Sequence, residues 1–533
     1  MPRGATPGAI SGALSRPENV ASVPYLTVPA GRSGRPDSYT GSQPAMSRTP
    51  VLLAQPYFLA HDAKQVRKMK PYPPLATLIT ASVLRAAGKE VALFDAMLSA
   101  GEDEFAAVVT ARRPAIVGML EDNFNFLTKM CTTRRREASL RMIRDAKNAG
   151  ALVAVNGSDA ADAPDLYIGA GADAVILGET DRTFLEVVER WELDALADLS
   201  DVPGLALPAR AVGAFAPAAK TAPRPFVHDL DALPFPAWDL VDQGKYRAAW
   251  TGAHGRLSWN VVTTRGCPYR CNWCAKPLYG IRYAQRSPGN VAEEMARLKE
   301  AVGPEHVWFA DDIFGLSHRW IERFADALAE RDAAIPFTMQ SRVDLMTPSA
   351  VEALRRAGAE EVWMGVESGA QKILDAMDKG TTITQVRDAT RLLKAHGIRA
   401  SWFLQLGYPG EEWAEILATR DLIREERPDD VGVSVAYPLP GTVFYERVRG
   451  QLGDKTHWDD SDELAMLFAG TYTGPFYRHV RDLLHDEAVA ASAEGDLAGT
   501  RRRRLDALWR EAGSLEAAAR SGPGPSALAA FGP

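Results

Sequence analysis

The feature that most limits the possible folds is a repeated alternation of short apolar runs with helical stretches, in two separate blocks. In the first block the candidate strands are 51–55, 91–94, 115–119, 152–155 and 174–177. Such short, continuously apolar runs are typical of strands buried on both faces of a parallel sheet. The pattern therefore predicts a doubly wound, Rossmann-like α/β domain over residues 46–195.

The second block, residues 259–450, repeats the alternation with six strand–helix units. Its candidate strands are 259–264, 306–310, 335–340, 361–366, 399–405 and 431–436. Six units are too few to close an eight-stranded barrel.

The segments outside these two blocks have weaker patterns. Residues 196–258 are rich in Ala and Pro and are predicted to be a linker, while 451–533 are predicted to form a helical region with a loose tail. Residues 1–45 show no sustained periodicity and are predicted to be a disordered extension. Translation could equally start at Met46.

Charge and composition exclude several classes of protein. The 61 basic and 68 acidic residues give a net charge of −7, which argues against nucleic-acid binding through overall charge. No apolar run is long enough to span a membrane, and the first 45 residues lack the pattern of a signal peptide. Four cysteines in 533 residues fit a reducing compartment, so the predicted location is the cytoplasm.

Three of the four cysteines lie within eight residues, just after a predicted strand that ends at Gly266. Cys267, Cys271 and Cys274 have the spacing C-x3-C-x2-C, which suggests a soft metal or an iron–sulfur cluster. No histidine lies within ten residues of this triplet, and there is no second C-x2-C pair. A zinc site with a remote fourth ligand remains the alternative. A disulfide framework is not expected, because the fourth cysteine, Cys131, is distant.

With Trp273 directly before the last cysteine, the triplet resembles the signature of the radical S-adenosylmethionine (SAM) superfamily. The resemblance implies a 4Fe–4S cluster held by the three cysteines, with its fourth iron open for SAM. It also implies that the second block forms a partial (β/α)6 barrel, whose functional residues lie at the carboxyl ends of its strands.

The ends of the later strands match this resemblance in order along the chain. By resemblance, Asp311 and Asp312 lie near the amino group of SAM, whereas Arg342 and Glu367 suit its carboxylate and ribose. The complete set of predicted SAM contacts is Trp273, Asp311, Asp312, Ser341, Arg342, Glu367, Gly407 and Pro438.

Placed before such a barrel, the first block resembles the cobalamin-binding domain of the cobalamin-dependent branch. The D-x-H-x-x-G motif that supplies a histidine to cobalt in some cobalamin proteins is absent, so water or another side chain would cover the lower face of cobalt. A Rossmann-like domain without a cofactor is the alternative. The predicted cobalamin contacts are Tyr57, Phe58, Tyr72, Pro74, Glu121, Asn123, Asn156, Gly157, Ser158, Gly178 and Glu179.

The resemblance implies one-electron cleavage of SAM to a 5′-deoxyadenosyl radical and methyl transfer through cobalamin. The predicted function is therefore a cobalamin-dependent radical SAM C-methyltransferase acting on an unactivated carbon of a natural product or peptide. No catalytic residue is expected beyond those that hold the cofactors, and the electron would come from a flavodoxin- or ferredoxin-type reductant. The alternatives are cyclisation or rearrangement without methyl transfer, and a non-catalytic sensor that keeps both cofactors.

Overall fold

A computed structural model describes most of the chain: residues 51–124, 132–209, 217–275, 278–453, 455, 457–491 and 496–521. These residues all belong to one compact unit that spans Ser47–Pro533. The extension predicted over 1–45, the alternative start at Met46, and Cys131 lie outside the described residues.

The first sheet has seven strands in the order β2-β1-β3-β4-β5-β6-β7. The first five strands are parallel, and β6 and β7 are antiparallel additions at one edge. The strands are β1 (Val51–Ala54), β2 (Val91–Phe94), β3 (Ile116–Leu120), β4 (Leu152–Asn156), β5 (Ala174–Ile176), β6 (Leu205–Leu207) and β7 (Ala219–Lys220).

Helices cover both faces of this sheet, as expected for strands that are apolar on both sides. Phe105, Met142 and Tyr167 belong to the core on one face, and Leu84 and Phe184 belong to the core on the other. The helices are α1 (Ala63–Lys68), α2 (Leu75–Ala86), α3 (Glu102–Arg112), α4 (Thr133–Asn148), α5 (Ser158–Asp162), α6 (Pro164–Gly169) and α7 (Thr180–Leu193).

The segment predicted as a linker, 196–258, contains regular structure. Strands β6 and β7 extend the first sheet, and helix α8 (Gln243–His254) buries Tyr246 and Trp250 in the core of the second half. Strands of two or three residues in an Ala- and Pro-rich stretch are too short to show a periodicity. Pairing with a strand that is already formed is what orders them.

The second sheet has six parallel strands in the order β15-β14-β13-β12-β11-β8. Within the described chain, β8 and β15 do not pair with each other, so this is the open barrel that was predicted. The strands are β8 (Ser258–Val261), β9 (Thr264–Arg265), β10 (Ala284–Gln285), β11 (His306–Phe309), β12 (Phe337–Ser341), β13 (Ala359–Glu367), β14 (Arg399–Leu406) and β15 (Asp430–Val435). The short strands β9 and β10 form a separate antiparallel pair.

Amphipathic helices pack on the outside of this open barrel. One of them buries Trp320, Ile321 and Phe324 on a single face. No described helix is both long and apolar enough to cross a membrane. The helices are α9 (Pro288–Ala301), α10 (His318–Glu330), α11 (Pro348–Ala357), α12 (Gln371–Ala376), α13 (Ile383–Ala395), α14 (Trp413–Glu426), α15 (Val443–Val448), α16 (Gly474–Ala491) and α17 (Asp496–Ala519).

The predicted fold class is confirmed, with one doubly wound sheet followed by a partial barrel and C-terminal helices. Helix α16 packs against β15 and α14, so the C-terminal helices complete the barrel's outer layer on that side. The predicted domain limits stay a prediction.

Candidate functional site

The cysteine loop follows the carboxyl end of β8 and is bracketed by the β9–β10 pair. All three thiols are half-buried. Gly266 opens the loop with φ +77°, and a Cβ there would lie 1.9 Å from the carbonyl oxygen of Arg282. Only glycine fits that turn. Among the described residues, no three His, Cys, Asp or Glu side chains are arranged to hold one metal ion.

Arg342, at the end of β12, lies directly against this loop. Its guanidinium stacks 3.7 Å above the ring of Tyr269 and places Nη1 3.7 Å from the sulfur of Cys271. It also pairs with Asp344 at 2.9 Å and donates to the carbonyl oxygen of Lys379. Arg342 is therefore fixed in place beside the thiol.

Glu367 forms a buried ion pair at the end of β13. Its carboxylate lies 2.7 Å from Nζ of Lys379, and both side chains are almost inaccessible to solvent. Burial lowers the pKa of Lys379, but the charge and hydrogen bond of Glu367 and the nearby sulfur of Cys271 together raise that pKa above its ordinary value, so the ammonium stays protonated. A Cβ on Gly365 would lie 2.6 Å from both charged atoms, so this glycine makes room for the pair.

Asp311, at the end of β11, is directed towards the segment that leads into the cysteine loop. Its Oδ1 accepts hydrogen bonds from the backbone N–H groups and the hydroxyls of Thr263 and Thr264. Burial raises the pKa of Asp311 from 3.8 to about 7. Its Oδ2 is buried and has no partner among the described residues, whereas neighbouring Asp312 is half-buried.

The remaining predicted SAM contacts also lie at the carboxyl ends of the barrel strands, which form the rim of the barrel. The hydroxyl of Ser341 donates to the carbonyl oxygen of Phe314 at 3.0 Å. The N–H of Gly407 donates to Glu411 at 2.5 Å, and Pro438 is buried just past the end of β15. Trp273 packs on an apolar cluster that contains Tyr408, Phe444 and Phe468. The structure thus brings all eight to the carboxyl-end rim of the barrel.

A second group of predicted residues meets at the carboxyl edge of the first sheet. Glu121 pairs with Arg135 at 2.7 Å and accepts from the N–H of Ser158 at 3.1 Å. A Cβ on Gly157 would lie 2.1 Å from the Glu121 carboxyl carbon, so the glycine makes room for this carboxylate. Burial raises the pKa of Glu121 from 4.5 to about 7, although Arg135 acts in the opposite direction.

Asn156 links this edge to the next strand. It accepts from Asn123 at 2.9 Å and donates to the carbonyl oxygens of Ile176 and Gly178, both at 3.0 Å. Yet several buried polar atoms here have no hydrogen-bond partner in the described structure, although such atoms are normally paired. They are the hydroxyls of Tyr57 and Ser158, Oε1 of Glu121 and Oδ1 of Asn123.

Three predicted cobalamin contacts lie elsewhere. Phe58 is buried in the apolar core on the α3 side of the sheet, near Phe94. Tyr72 docks on the barrel, where its hydroxyl lies 3.0 Å from Oγ of Ser258 near the start of β8. Pro74 is buried directly before α2. Their role as cobalamin contacts stays a prediction.

Glu179 connects the sheet edge to the cysteine loop. Together with Asp181 it holds the buried guanidinium of Arg265 at 2.7 and 2.6 Å, and its other oxygen accepts from the N–H of Val227. Arg265 is two residues from Cys267, and it lies 5.6 Å from the ring centre of Tyr279. These contacts fix the first sheet to the base of the loop.

Comparison with known proteins decides the family of the second half. Residues 261–423 match the Radical SAM superfamily. This stretch is a radical SAM domain. It contains the cysteine loop and the strand ends from β11 to β14.

Relatives with assigned names extend the likeness beyond this domain. An uncharacterised methyltransferase of Pyrococcus horikoshii is 30% identical over 275 residues, which are 51% of this chain and 57% of that protein. An anaerobic magnesium-protoporphyrin IX monomethyl ester cyclase of Synechocystis is 27% identical over 318 residues, 57% of this chain and 59% of that protein. The chain thus spans less than two thirds of the length of these relatives.

A solved structure has the fold of both halves of this chain. The radical SAM methyltransferase TsrM from Kitasatospora setae, solved with cobalamin and a 4Fe–4S cluster bound, matches with a TM-score of 0.61. The identity is 19%, over 75% of this chain and 74% of TsrM. The predicted resemblance is confirmed: the chain has a radical SAM domain and the fold of a cobalamin-dependent member.

Four residues around the loop were not predicted: Arg265, Tyr269, Asn272 and Lys379. Two of them, Tyr269 and Asn272, lie inside the cysteine motif, and their polar side chains were an available signal. Lys379 follows a short helix twelve residues after its partner Glu367, and nothing in its local sequence distinguishes it from a surface lysine.

Proposed function

We propose that the chain is a cobalamin-dependent radical SAM C-methyltransferase that acts on an unactivated carbon of a natural product or peptide. The observation that carries the proposal is that two features occur in one chain. One is a radical SAM domain, and the other is a first sheet whose carboxyl edge has buried polar atoms without a described partner. This is the fold of TsrM, and a relative is named as a methyltransferase.

The residues at both places suit the proposed cofactors. Thiolates such as those of Cys267, Cys271 and Cys274 are the ligands that iron–sulfur clusters use. The charged groups of Arg342 and of the Glu367–Lys379 pair offer donors and acceptors to the amino-acid part of SAM. When bound, the cluster, SAM and cobalamin supply the one-electron and methyl-transfer chemistry.

The protein's own part is to position the cofactors and to exclude water. The Arg265–Glu179–Asp181 contact joins the two halves and would keep the proposed cluster and cobalamin sites at a fixed separation. Met466 and Tyr477 from the C-terminal region pack closely on Gly407 and cover the rim there. We expect the reaction to run in the cytoplasm with an external flavodoxin- or ferredoxin-type reductant.

The test is anaerobic reconstitution with iron, sulfide and cobalamin, followed by incubation with SAM and a one-electron reductant. We expect both 5′-deoxyadenosine and S-adenosylhomocysteine, and neither of them from the variant in which Cys267, Cys271 and Cys274 are all alanine. Zinc in place of iron and sulfide would refute the proposal. So would a fully loaded protein that forms neither product, since that is the behaviour of a sensor.

A second candidate function is ring formation or rearrangement without methyl transfer, because a relative is named as a cyclase. In the same assay it predicts 5′-deoxyadenosine without S-adenosylhomocysteine. The ratio of the two products therefore decides between the candidates.

A further inference from the structure

Asn272 lies between Cys271 and Cys274 and is almost fully buried, although its two cysteine neighbours are half-exposed. Its backbone N–H donates to the carbonyl oxygen of Met377 at 3.1 Å, and its own carbonyl oxygen accepts from the N–H of Phe444 at 2.9 Å. The backbone of the cysteine loop is thus attached to two segments that are distant in sequence.

The side chain of Asn272 adds three further hydrogen bonds. Nδ2 donates to the carbonyl oxygen of Ala376 at 2.9 Å and to Oδ2 of Asp378 at 2.8 Å. Oδ1 accepts from the hydroxyl of Tyr408 at 2.7 Å. Both amide hydrogens are used, which fixes the orientation of the amide.

The partners of Asn272 come from three separate places around the rim. Residues 376–378 lie at the end of helix α12 after β13, Tyr408 follows β14, and Phe444 lies in the first turn of helix α15 after β15. A loop without regular structure gains a single conformation only when such contacts offset its conformational entropy. We propose that Asn272 is the positioning residue of the cysteine loop, which sets the places of Cys271 and Cys274 before the cluster binds.

This inference rests on the cluster-binding part of the proposed function, and its first test avoids that dependence. In protein prepared without a cluster, Asn272→Ala should raise the alkylation rates of Cys271 and Cys274 at least fivefold. The melting temperature serves as the check on folding. Rates within twofold of the parent would overturn the proposal, even if the parent never binds iron.

The second test uses the reconstituted protein. Asn272→Ala should lose its cluster to a chelator at least tenfold faster than the parent, as followed by the visible absorbance and by iron per chain. The matched control is Asn290→Ala on α9, whose amide oxygen accepts from Arg286, just beyond the β9–β10 pair. That control should lose its cluster at the parental rate, and equal loss rates in Asn272→Ala and the parent would contradict the proposal.

Exchanging the two hydrogen-bonding groups of Asn272 and Asp378 distinguishes a positioning role of Asn272 from a general effect on folding. Asn272→Asp places a carboxylate against Asp378, so alkylation and cluster loss should both accelerate. Adding Asp378→Asn restores a hydrogen-bond donor opposite the new carboxylate. It should reverse at least half of the change in the logarithms of the alkylation and cluster-loss rates. A double variant no better than Asn272→Asp would refute the specific role of this contact.

Discussion

The rim of the barrel and the carboxyl edge of the first sheet use similar polar residues in different ways. At the rim, Arg342, Asn272 and the Glu367–Lys379 pair have partners within the protein. At the sheet edge, the hydroxyls of Tyr57 and Ser158 are buried without any partner in the described structure. We therefore expect the cysteine loop to be ordered by the protein itself and the sheet edge to be completed by a ligand.

The largest effect is expected where the two regions are joined. Arg265→Met leaves Glu179 and Asp181 buried without their cation, and breaking such a pair costs about 3–5 kcal/mol. Denaturant unfolding of the cofactor-free protein should show this loss. The exposed pair of Arg256 with Glu360 is the control, because Arg256→Ala should cost no more than about 1 kcal/mol. Similar losses in both variants would mean that Arg265 does not join the two halves.

Glu411 and Asp311 are exceptions at the rim, because Oε1 of Glu411 and Oδ2 of Asp311 are buried without a described partner. Burial raises the pKa of Glu411 from 4.5 to about 8. Between these two values the folded state keeps a proton that the unfolded state loses, so the free energy of unfolding should fall as pH rises from about 4.5 to 8. The expected fall is about 4 kcal/mol, since one pKa unit corresponds to about 1.4 kcal/mol, the two pKa values differ by about 3.5, and the group is half-titrated at each of them.

Glu411→Gln tests this, because the amide can still accept from Gly407 but does not titrate. Its free energy of unfolding should depend less on pH than that of the parent, with the gain in stability greatest at pH 8. Parallel pH profiles for the parent and the variant would show that Glu411 titrates normally.

Two serines, one in each region, test the difference between the sheet edge and the rim directly. Ser158→Ala removes a buried hydroxyl without a described partner and should stabilise the cofactor-free protein by about 1 kcal/mol, while weakening cobalamin binding severalfold. Ser341→Ala removes a hydroxyl that donates to Phe314 and should destabilise the protein by about 1 kcal/mol. Changes of the same sign in thermal unfolding would contradict the distinction between the two regions.

The smallest expected effect concerns the cluster's reduction potential. Arg342 places a positive charge 3.7 Å from the Cys271 sulfur, and hydrogen bonds and charge near the sulfurs tune such potentials. Arg342→Gln should lower the potential by up to about 59 mV, a tenfold change in a one-electron equilibrium. A redox titration followed by electron paramagnetic resonance measures this, with the surface variant Arg355→Gln as control. An unchanged or raised potential would show that Arg342 does not act on the cluster.

Local sequence determined the architecture and the position of the site. The alternation of apolar and helical segments predicted both sheets, and the spacing of Cys267, Cys271 and Cys274 predicted the loop beyond the first barrel strand. These signals are local, because periodicity and turn residues act over a few positions. The same reasoning placed Arg342 and Glu367 at strand ends.

Which residues distant in sequence come into contact is seen only in the tertiary structure. It paired Arg265 with Glu179 across the two halves, and it placed the hydroxyl of Tyr408 on the amide of Asn272. It also placed the hydroxyl of Tyr72 beside Ser258 of the barrel. The physical reason is that a buried polar side chain takes whichever partner the packed chain brings within about 3 Å. That choice depends on how the helices and strands cross, and short-range sequence patterns do not specify it.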